Sequence, residues 1–365
     1  MVEMWRVIDT GLRAATQNIA LDRALLEARN AEEIPSTLRF YRVAPAVLLA
    51  SRHSAGQESD GGFCAEAAIT VQRRMTGGDT VYCDGGQLGW ALYLHKRDVE
   101  TSDMQAVARR VCHAVATALA ALGVDARYRT PHDVEVGGRR IVSAGGVCEG
   151  AALLYQGIIY FDLDLPTLLK ALRTPAVALG DGALAAARGR IGDLTAVLGE
   201  CPPFALVKDR LVAAFESEFA TELHDAELSL TEHARYQSAL AEIDTPGWIN
   251  LVDQPAMDVA VATASHEYAD GGALTASMLH DRARQRIKQV WFTGELSPAA
   301  VRALAELETV LCSTSVDRLE RNVLAWFAAR ALSGYGPTAL DLISLLRRAL
   351  QSGIRHNQRQ LQRAA

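Results

Sequence analysis

The sequence predicts a chain of mixed helices and strands in two parts, and three observations predict it. Between residues 38 and 163, short apolar and β-branched runs alternate with glycine-bearing turns, as strands and hairpins do. Longer segments beside and after them carry apolar residues at three- and four-residue spacing, as amphipathic helices do. Thr245, Pro246 and Gly247 then interrupt the helical composition before a second set of alternating segments begins. A length of 365 residues suits two domains, or one with appendages. Apolar residues at 49% against 22% charged provide ample core, and a net charge of −6 argues against a general nucleic-acid binder.

The elements follow in order. The N-terminus carries acidic residues where a signal peptide needs a basic start, and no apolar run reaches membrane-spanning length, so a cytoplasmic protein is expected. Leu21, Ala24, Leu25 and Ala28 form a helical stripe with Arg23 and Glu27 on the other side. Residues 38–51 read as two short strands joined at Pro45. A polar loop follows, then a short helix at Cys64–Ala68 and a strand at Ile69–Gln72.

Thr80, Val81 and Tyr82 form a strand that Asp84, Gly85 and Gly86 break, and Leu88–Leu94 resumes it. Thr101 or Ser102 caps a helix striped by Val107, Val111, Val115, Ala118 and Leu122, and Gly123 stops it. Val134–Val142 reads as a hairpin turning at Gly137 and Gly138. SAGGVCEGAA reads as a close-approach loop, and Leu153–Leu163 as a strand broken at Gly157.

Past Pro166 the chain is helical in composition to about Arg188, then at Ile191–Leu198, Val207–Phe219 and Thr231–Ile243. In the second part, Leu274–Leu279 and Ile287–Phe292 form a hairpin with His280 in its solvated turn. Ser297 caps a helix opened by Pro298, Val316–Ala329 is another, and Pro337 and Thr338 start a last one. Its extension from Arg347 to Arg363 holds five arginines and no carboxylate, which suits a solvated, partly frayed helix or a dock for an acidic partner.

The stretch Val71–Tyr93, VQRRMTGGDTVYCDGGQLGWALY, carries the chemistry. Arg73 and Arg74 offer planar guanidinium groups for carboxylate or phosphate oxygens. Gly77 and Gly78 let backbone N–H groups approach an anion closely. The combination suits an activated acid or a nucleotide, and an ordinary hairpin with a basic edge is the bland alternative. Six scattered cysteines lack CxxC spacing, which disfavours both a zinc cage and a disulfide framework.

The run RRMTGGDTVYCDGG resembles the RRxxGGGxVxHDxG signature of the lipoate-protein ligase family, within the biotin and lipoate ligase superfamily. TQNIALDRALL resembles that family's first helix, VEVGGRRIVSAG its hairpin that usually ends in lysine, and YQGIIYFDLDL its HGTLLxD strand. GALTASMLHDRARQRIKQVWFTGELS resembles its small accessory domain.

The resemblance implies an α+β catalytic domain with a mixed, largely antiparallel sheet flanked by helices over residues 1–246. It implies a small α/β accessory domain over 247–330, and the residues beyond it, 331–365, read as a helical tail. It also implies two steps: lipoate or octanoate with ATP and Mg²⁺ gives the acyl-adenylate, and the acyl group then passes to a lysine of an acceptor lipoyl domain. Neither nucleic acid nor membrane is an expected partner, and no protein-bound metal site is expected.

By the same resemblance, Arg140, Arg74 and Asp133 would be catalytic. Arg73, Gly77, Gly78, Asp79, Val81, Asp84, Ser143, Gln156 and Gly157 would bind substrate or adenylate.

The chain departs from the pattern at four places. Asp79 replaces the third glycine, Cys83 the histidine, Ile158 the threonine and Arg140 the lysine. Two other readings follow. One is a lipoyl or octanoyl transferase working through a cysteine thioester, for which Cys148 is the candidate, although neither RYRTPH before Asp133 nor LLYQ before Gly157 contains a cysteine. The other is a paralogue that binds lipoate or a lipoyl domain without adenylation. His132, beside Asp133, is a candidate for a cleft position.

Overall fold

The computed structural model describes residues 4–101, 103–129, 131–252, 259–267, 273–282, 284–294, 298–329 and 337–364. The chain forms two compact units, one of residues 1–172 and 190–254, the other of 173–189 and 255–365.

The first unit is built on an eight-stranded sheet. Its strands are β1 (Met4–Arg13), β2 (Thr37–Val43), β6 (Gln87–His95), β7 (Ala126–Arg129), β8 (Asp133–Val136), β9 (Arg139–Glu149), β10 (Ala152–Tyr160) and β11 (Glu222–Asp225). Their spatial order is β11-β1-β2-β6-β10-β9-β8-β7. β1 pairs parallel with both β2 and β11, and every other pairing in this sheet is antiparallel. The sheet is therefore mixed and largely antiparallel, as the resemblance implies. A smaller sheet places β3 (Ala46–Leu49) between β4 (Thr70–Arg73) and β5 (Val81–Cys83).

The first eight residues of β6 are buried, because the strand is covered on both faces. Helices Met104–Ala120 and Phe204–Phe219 supply Val107, Val111, Val115, Val207, Leu211 and Phe215 to the core on one side. There the Trp90 ring lies 5.8 Å from Phe215 and 6.2 Å from Tyr155, contacts worth about 0.5–1.5 kcal/mol each beyond area burial. Helix Ala15–Asn30 packs across β6 and β10. The cap of Met104–Ala120 is Asp103, whose carboxylate accepts from the Gln105 N–H, rather than Thr101; Ser102 lies outside the described residues.

Two expected breaks are absent. The segment read as a close-approach loop belongs to β9, which runs on to Glu149, and β10 passes through Gly157 without interruption. Strands β1, β7 and β11 have no counterpart in the sequence reading.

In the second unit, β12 (Val259–Glu267), β13 (Ala273–Asp281), β14 (Arg286–Gly294) and β15 (Thr314–Ser315) form a sheet in that order. Helices Pro298–Leu311, Leu319–Ala328 and Ala339–Ala364 accompany it, and the expected Ser297 cap lies outside the described residues. The expected separate tail is not separate. Leu342, Leu345, Leu346 and Ala349 are fully buried in this unit's core, because they form a stripe at helical spacing over the first half of the helix.

His280 is also not in a solvated turn. β13 extends to Asp281, so His280 is buried, and burial lowers its pKa. The division between units falls at residues 254–255 rather than 246–247, and the segment 173–189 belongs to the second unit. No described helix is long and apolar enough to cross a membrane.

Candidate functional site

A cavity in the first unit is lined from five strands, one helix and the loop after β4. Ile19, Val43, Leu48, Val81 and Ile158 give it apolar walls. Asn18, Asp22, Tyr41, Arg74, Ser143 and Gln156 bring polar groups to it, and Gly145 and Gly157 line it as well. An apolar slot with a few placed polar groups is the usual form of a small-molecule site. Of the residues expected from the sequence, it gathers Arg74, Val81, Ser143, Gln156 and Gly157.

Arg74 is buried, and its guanidinium organises the loop. Nε donates to Thr76 Oγ1 at 3.0 Å and Nη1 to the Leu48 carbonyl at 3.0 Å. Nη2 donates to the carbonyls of Gly77 at 3.0 Å and Asp79 at 2.5 Å. Gln156 works from the other side, its Nε2 donating to Thr76 Oγ1 at 2.9 Å while its Oε1 accepts from Tyr41 Oη at 3.0 Å. Arg74, Thr76, Gln156 and Tyr41 thus form one buried network, of the kind that fixes side-chain positions when every member is satisfied.

The glycines serve packing, not an open anion cradle. The Gly77 N–H donates to the Gly146 carbonyl at 3.2 Å, so it is not available to a ligand. A Cβ on Gly145 would sit 2.2 Å from the Gly77 carbonyl oxygen, and one on Gly78 2.7 Å from that of Ala144. The loop is therefore seated backbone to backbone against β9. A Cβ on Gly157 would meet the Trp90 ring at 2.6 Å, so the space it leaves is filled by an indole rather than by a ligand.

Arg73 points elsewhere. It donates to the carbonyls of Ala50, Ser51, Trp248 and Ile249, while the Trp248 indole N–H returns a bond to the Arg73 carbonyl at 2.9 Å. Asp84 holds a turn, its Oδ1 accepting from the Gly86 N–H at 2.9 Å.

Beside the cavity lies an ionic cluster. Arg140 Nη1 donates to Asp79 Oδ2 at 2.6 Å and stands 3.8 Å from Asp133 Oδ2. Arg129 Nη2 donates to the same Asp133 oxygen at 2.8 Å, and its Nη1 stands 3.6 Å from Glu135 Oε2. Asp133 opens β8 opposite Ser143 of β9, which links the cluster to the cavity wall. Burial opposes ionisation of Asp79, but the Arg140 guanidinium, followed by His132, outweighs it and holds that carboxyl at about 2. Burial lowers the Arg140 pKa, but Asp133, Tyr160 and Asp79 together raise it more. Among the described residues, the buried atoms Arg140 Nε and Asp133 Oδ1 have no hydrogen-bond partner.

Sequence reasoning missed Asn18, Asp22, Arg39, Tyr41 and Tyr93. Arg39 is fully buried and donates to Asp22 Oδ1 at 2.8 Å and to Asn18 Oδ1 at 2.5 Å, and Tyr93 Oη donates to Asp22 Oδ1 at 2.5 Å. Burial raises the Asp22 pKa despite Arg39. The signal was present: Asn18 and Asp22 are polar residues four apart on the mostly apolar buried face of the first helix, which also carries Arg29.

No cysteine lines the cavity. Burial pushes the thiols of Cys83 and Cys112 up to about 12, so neither supplies thiolate at neutral pH. Cys148 Sγ lies 3.3 Å from Met104 Sδ.

Residues 14–216 match the model of the lipoyl protein ligase A/B catalytic domain family. The octanoyltransferase LipM of Moorella thermoacetica is 25% identical over 267 residues, covering 68% of this chain and 98% of that protein. The lipoate-protein ligase A subunit 1 of Thermoplasma acidophilum is 28% identical over 188 residues, covering 49% and 70%. Among solved structures, a bipartite lipoate protein ligase from Thermoplasma acidophilum, described with its E2 lipoyl domain, superposes with a TM-score of 0.60 at 23% identity. It covers 70% of this chain and 99% of that one. LipL1 of P. falciparum in complex with lipoate gives 0.54 at 13% identity, covering 90% and 96%.

Proposed function

This chain belongs to the lipoyl protein ligase A/B catalytic domain family, and from that premise we propose that it is an ATP-dependent lipoate-protein ligase. It would activate lipoate or octanoate to the acyl-adenylate and pass the acyl group to a lysine of a lipoyl domain. The observation that carries the reading is an apolar cavity furnished with Arg74 and Ser143 but with no thiol in its walls. Transfer through a protein thioester needs a thiolate at the acyl group. A mixed anhydride already carries its leaving group and needs only positioning and charge stabilisation.

In this reading Ile19, Val43, Leu48, Val81 and Ile158 hold the acyl chain. Such walls discriminate chain ends by only about 1–3 kcal/mol per methylene, so lipoate and octanoate are both candidate substrates. Arg74 faces the acyl phosphate oxygens, and Gln156 keeps the Arg74 loop in place through Thr76. ATP would arrive as its Mg²⁺ complex. Among the described residues no group of three or more His, Cys, Asp or Glu could hold a metal, but an ion on nucleotide phosphates needs only one or two protein carboxylates. Asp133, with Oδ1 unpartnered, is the residue that would hold it.

Mass measurement of a lipoyl domain incubated with this protein, lipoate and ATP tests the reading, and lipoate-dependent ATP–pyrophosphate exchange tests its first step. No exchange and no mass gain would sink it. One observation favours a second reading, a paralogue that binds the acyl group without activating it: Arg140, which stands where the family pattern has lysine, is already engaged by Asp79. That reading predicts lipoate binding without exchange.

A further inference from the structure

We infer that Asp79 is a specificity-determining residue, whose carboxylate occupies Arg140 and weakens the site's affinity for multiply charged phosphate ligands relative to singly charged acyl phosphates. The inference rests on the adenylate reading only in placing phosphate at this loop. Arg140 gives Nη1 to Asp79 at 2.6 Å and has a second carboxylate, Asp133, at 3.8 Å. Arg129, the next guanidinium, is held by Asp133 and stands beside Glu135. Two guanidiniums thus face three carboxylates.

Nor can Asp79 easily withdraw. Its carbonyl accepts from Arg74 Nη2 at 2.5 Å, and the preceding glycines are seated on β9. A phosphate approaching Arg140 must lie beside the Asp79 carboxylate, whether it displaces the charge-assisted hydrogen bond at Nη1 or meets the guanidinium's remaining N–H groups. Each further phosphate charge adds to that repulsion, whereas one charge can be met by Arg74 on the cavity side. Asp79 would thereby favour transfer from an acyl phosphate over assembly of one from a nucleoside triphosphate.

The test is calorimetric titration of the full chain with inorganic pyrophosphate and, separately, inorganic phosphate. Asp79→Asn removes the charge and keeps the shape. It should tighten pyrophosphate binding roughly tenfold or more, the scale of one charge-assisted hydrogen bond, and phosphate binding by less. Asp79→Ser must move both in the same direction, and adding Arg140→Ala to either variant must abolish the gain.

Unchanged or weaker pyrophosphate binding in both folded variants overturns the inference, as does a gain that survives loss of Arg140. A gain without lipoate-dependent exchange in any form leaves the inference standing and removes the adenylate reading. Exchange in the unmodified protein without any gain in the variants does the reverse.

Discussion

Arg140 Nη1 and Asp79 Oδ2 stand 2.6 Å apart although the two residues are 61 positions apart in the chain. Both are departures from the ligase signature, and the fold makes them one feature. An arginine where the pattern has lysine meets an aspartate where it has glycine, so the larger cation arrives with its own counter-charge. The cation is kept while its availability changes, which no single substitution would show.

The pair predicts an acid-limb dependence of stability. The folded Asp79 pKa of about 2 lies below the unfolded value of about 3.9. The stabilisation is therefore complete above about pH 4 and lost as pH falls towards about 2. The Asp79 side chain is 42% exposed, so solvent screening keeps the effect small. Thermal unfolding of the unmodified protein and Asp79→Asn across pH 2–6 should show the difference narrowing on the acid side; a difference independent of pH contradicts the assignment.

Gly145→Ala should destabilise the first unit by about 1–3 kcal/mol through overpacking against the Gly77 carbonyl, and should lower acyl transfer with it. Gly61→Ala is the control: no atom lies within 4 Å of its Cβ, and the change should stay within about 0.5 kcal/mol. Urea unfolding of both variants checks this. Equal effects would mean that the backbone seam between loop and β9 carries no weight.

Gln156→Ala removes the partner of two buried hydroxyls, Tyr41 and Thr76, at a cost of about 1–3 kcal/mol. Because Thr76 also receives Arg74 Nε, the apparent affinity for lipoate should fall as well. Titration with lipoate separates this from a stability effect alone, since binding measured well below the melting temperature would then be unaltered.

Cys148→Ala should retain acyl transfer within about twofold, because its sulfur faces Met104 and not the cavity. Loss of transfer together with a hydroxylamine-sensitive acyl group on Cys148 in the unmodified protein would move the mechanism to a thioester.

Leu346→Ala should cost about 2–5 kcal/mol in the second unit, where Leu346 is fully buried. Hydrogen exchange at β13 and β14 reads that unit directly. Protection unchanged there would return the last helix to a solvated tail.

The helix at Met104–Ala120 and the hairpin through Gly137 and Gly138 were legible in the sequence because periodicity and turn chemistry are local. What was not legible depends on partners far along the chain. Gly145 and Gly157 read as breaks, yet one is small to admit the Gly77 carbonyl and the other to admit Trp90.

β1 escaped notice because its polar residues look unlike a strand until Arg6 meets Glu232 and the strand takes parallel neighbours on both sides. Arg73 and Arg74 are adjacent and chemically identical, and only the tertiary positions of Trp248 and Ile249 decide which one faces the cavity. In the last helix, the run of arginines from Arg347 onward masked the apolar stripe of Leu342, Leu345 and Leu346 that precedes it in the sequence.

The chain passes from the first unit to the second at residue 173, returns at 190 and leaves again after 254. Neither unit is a contiguous stretch of sequence, so no single cut yields both whole. A fragment begun at residue 255 would lack 173–189, and one ended at 254 would carry that segment without the sheet it belongs with. Excising the first part therefore requires a connector from 172 to 190 in place of 173–189, and excising the second requires one from 189 to 255 in place of 190–254.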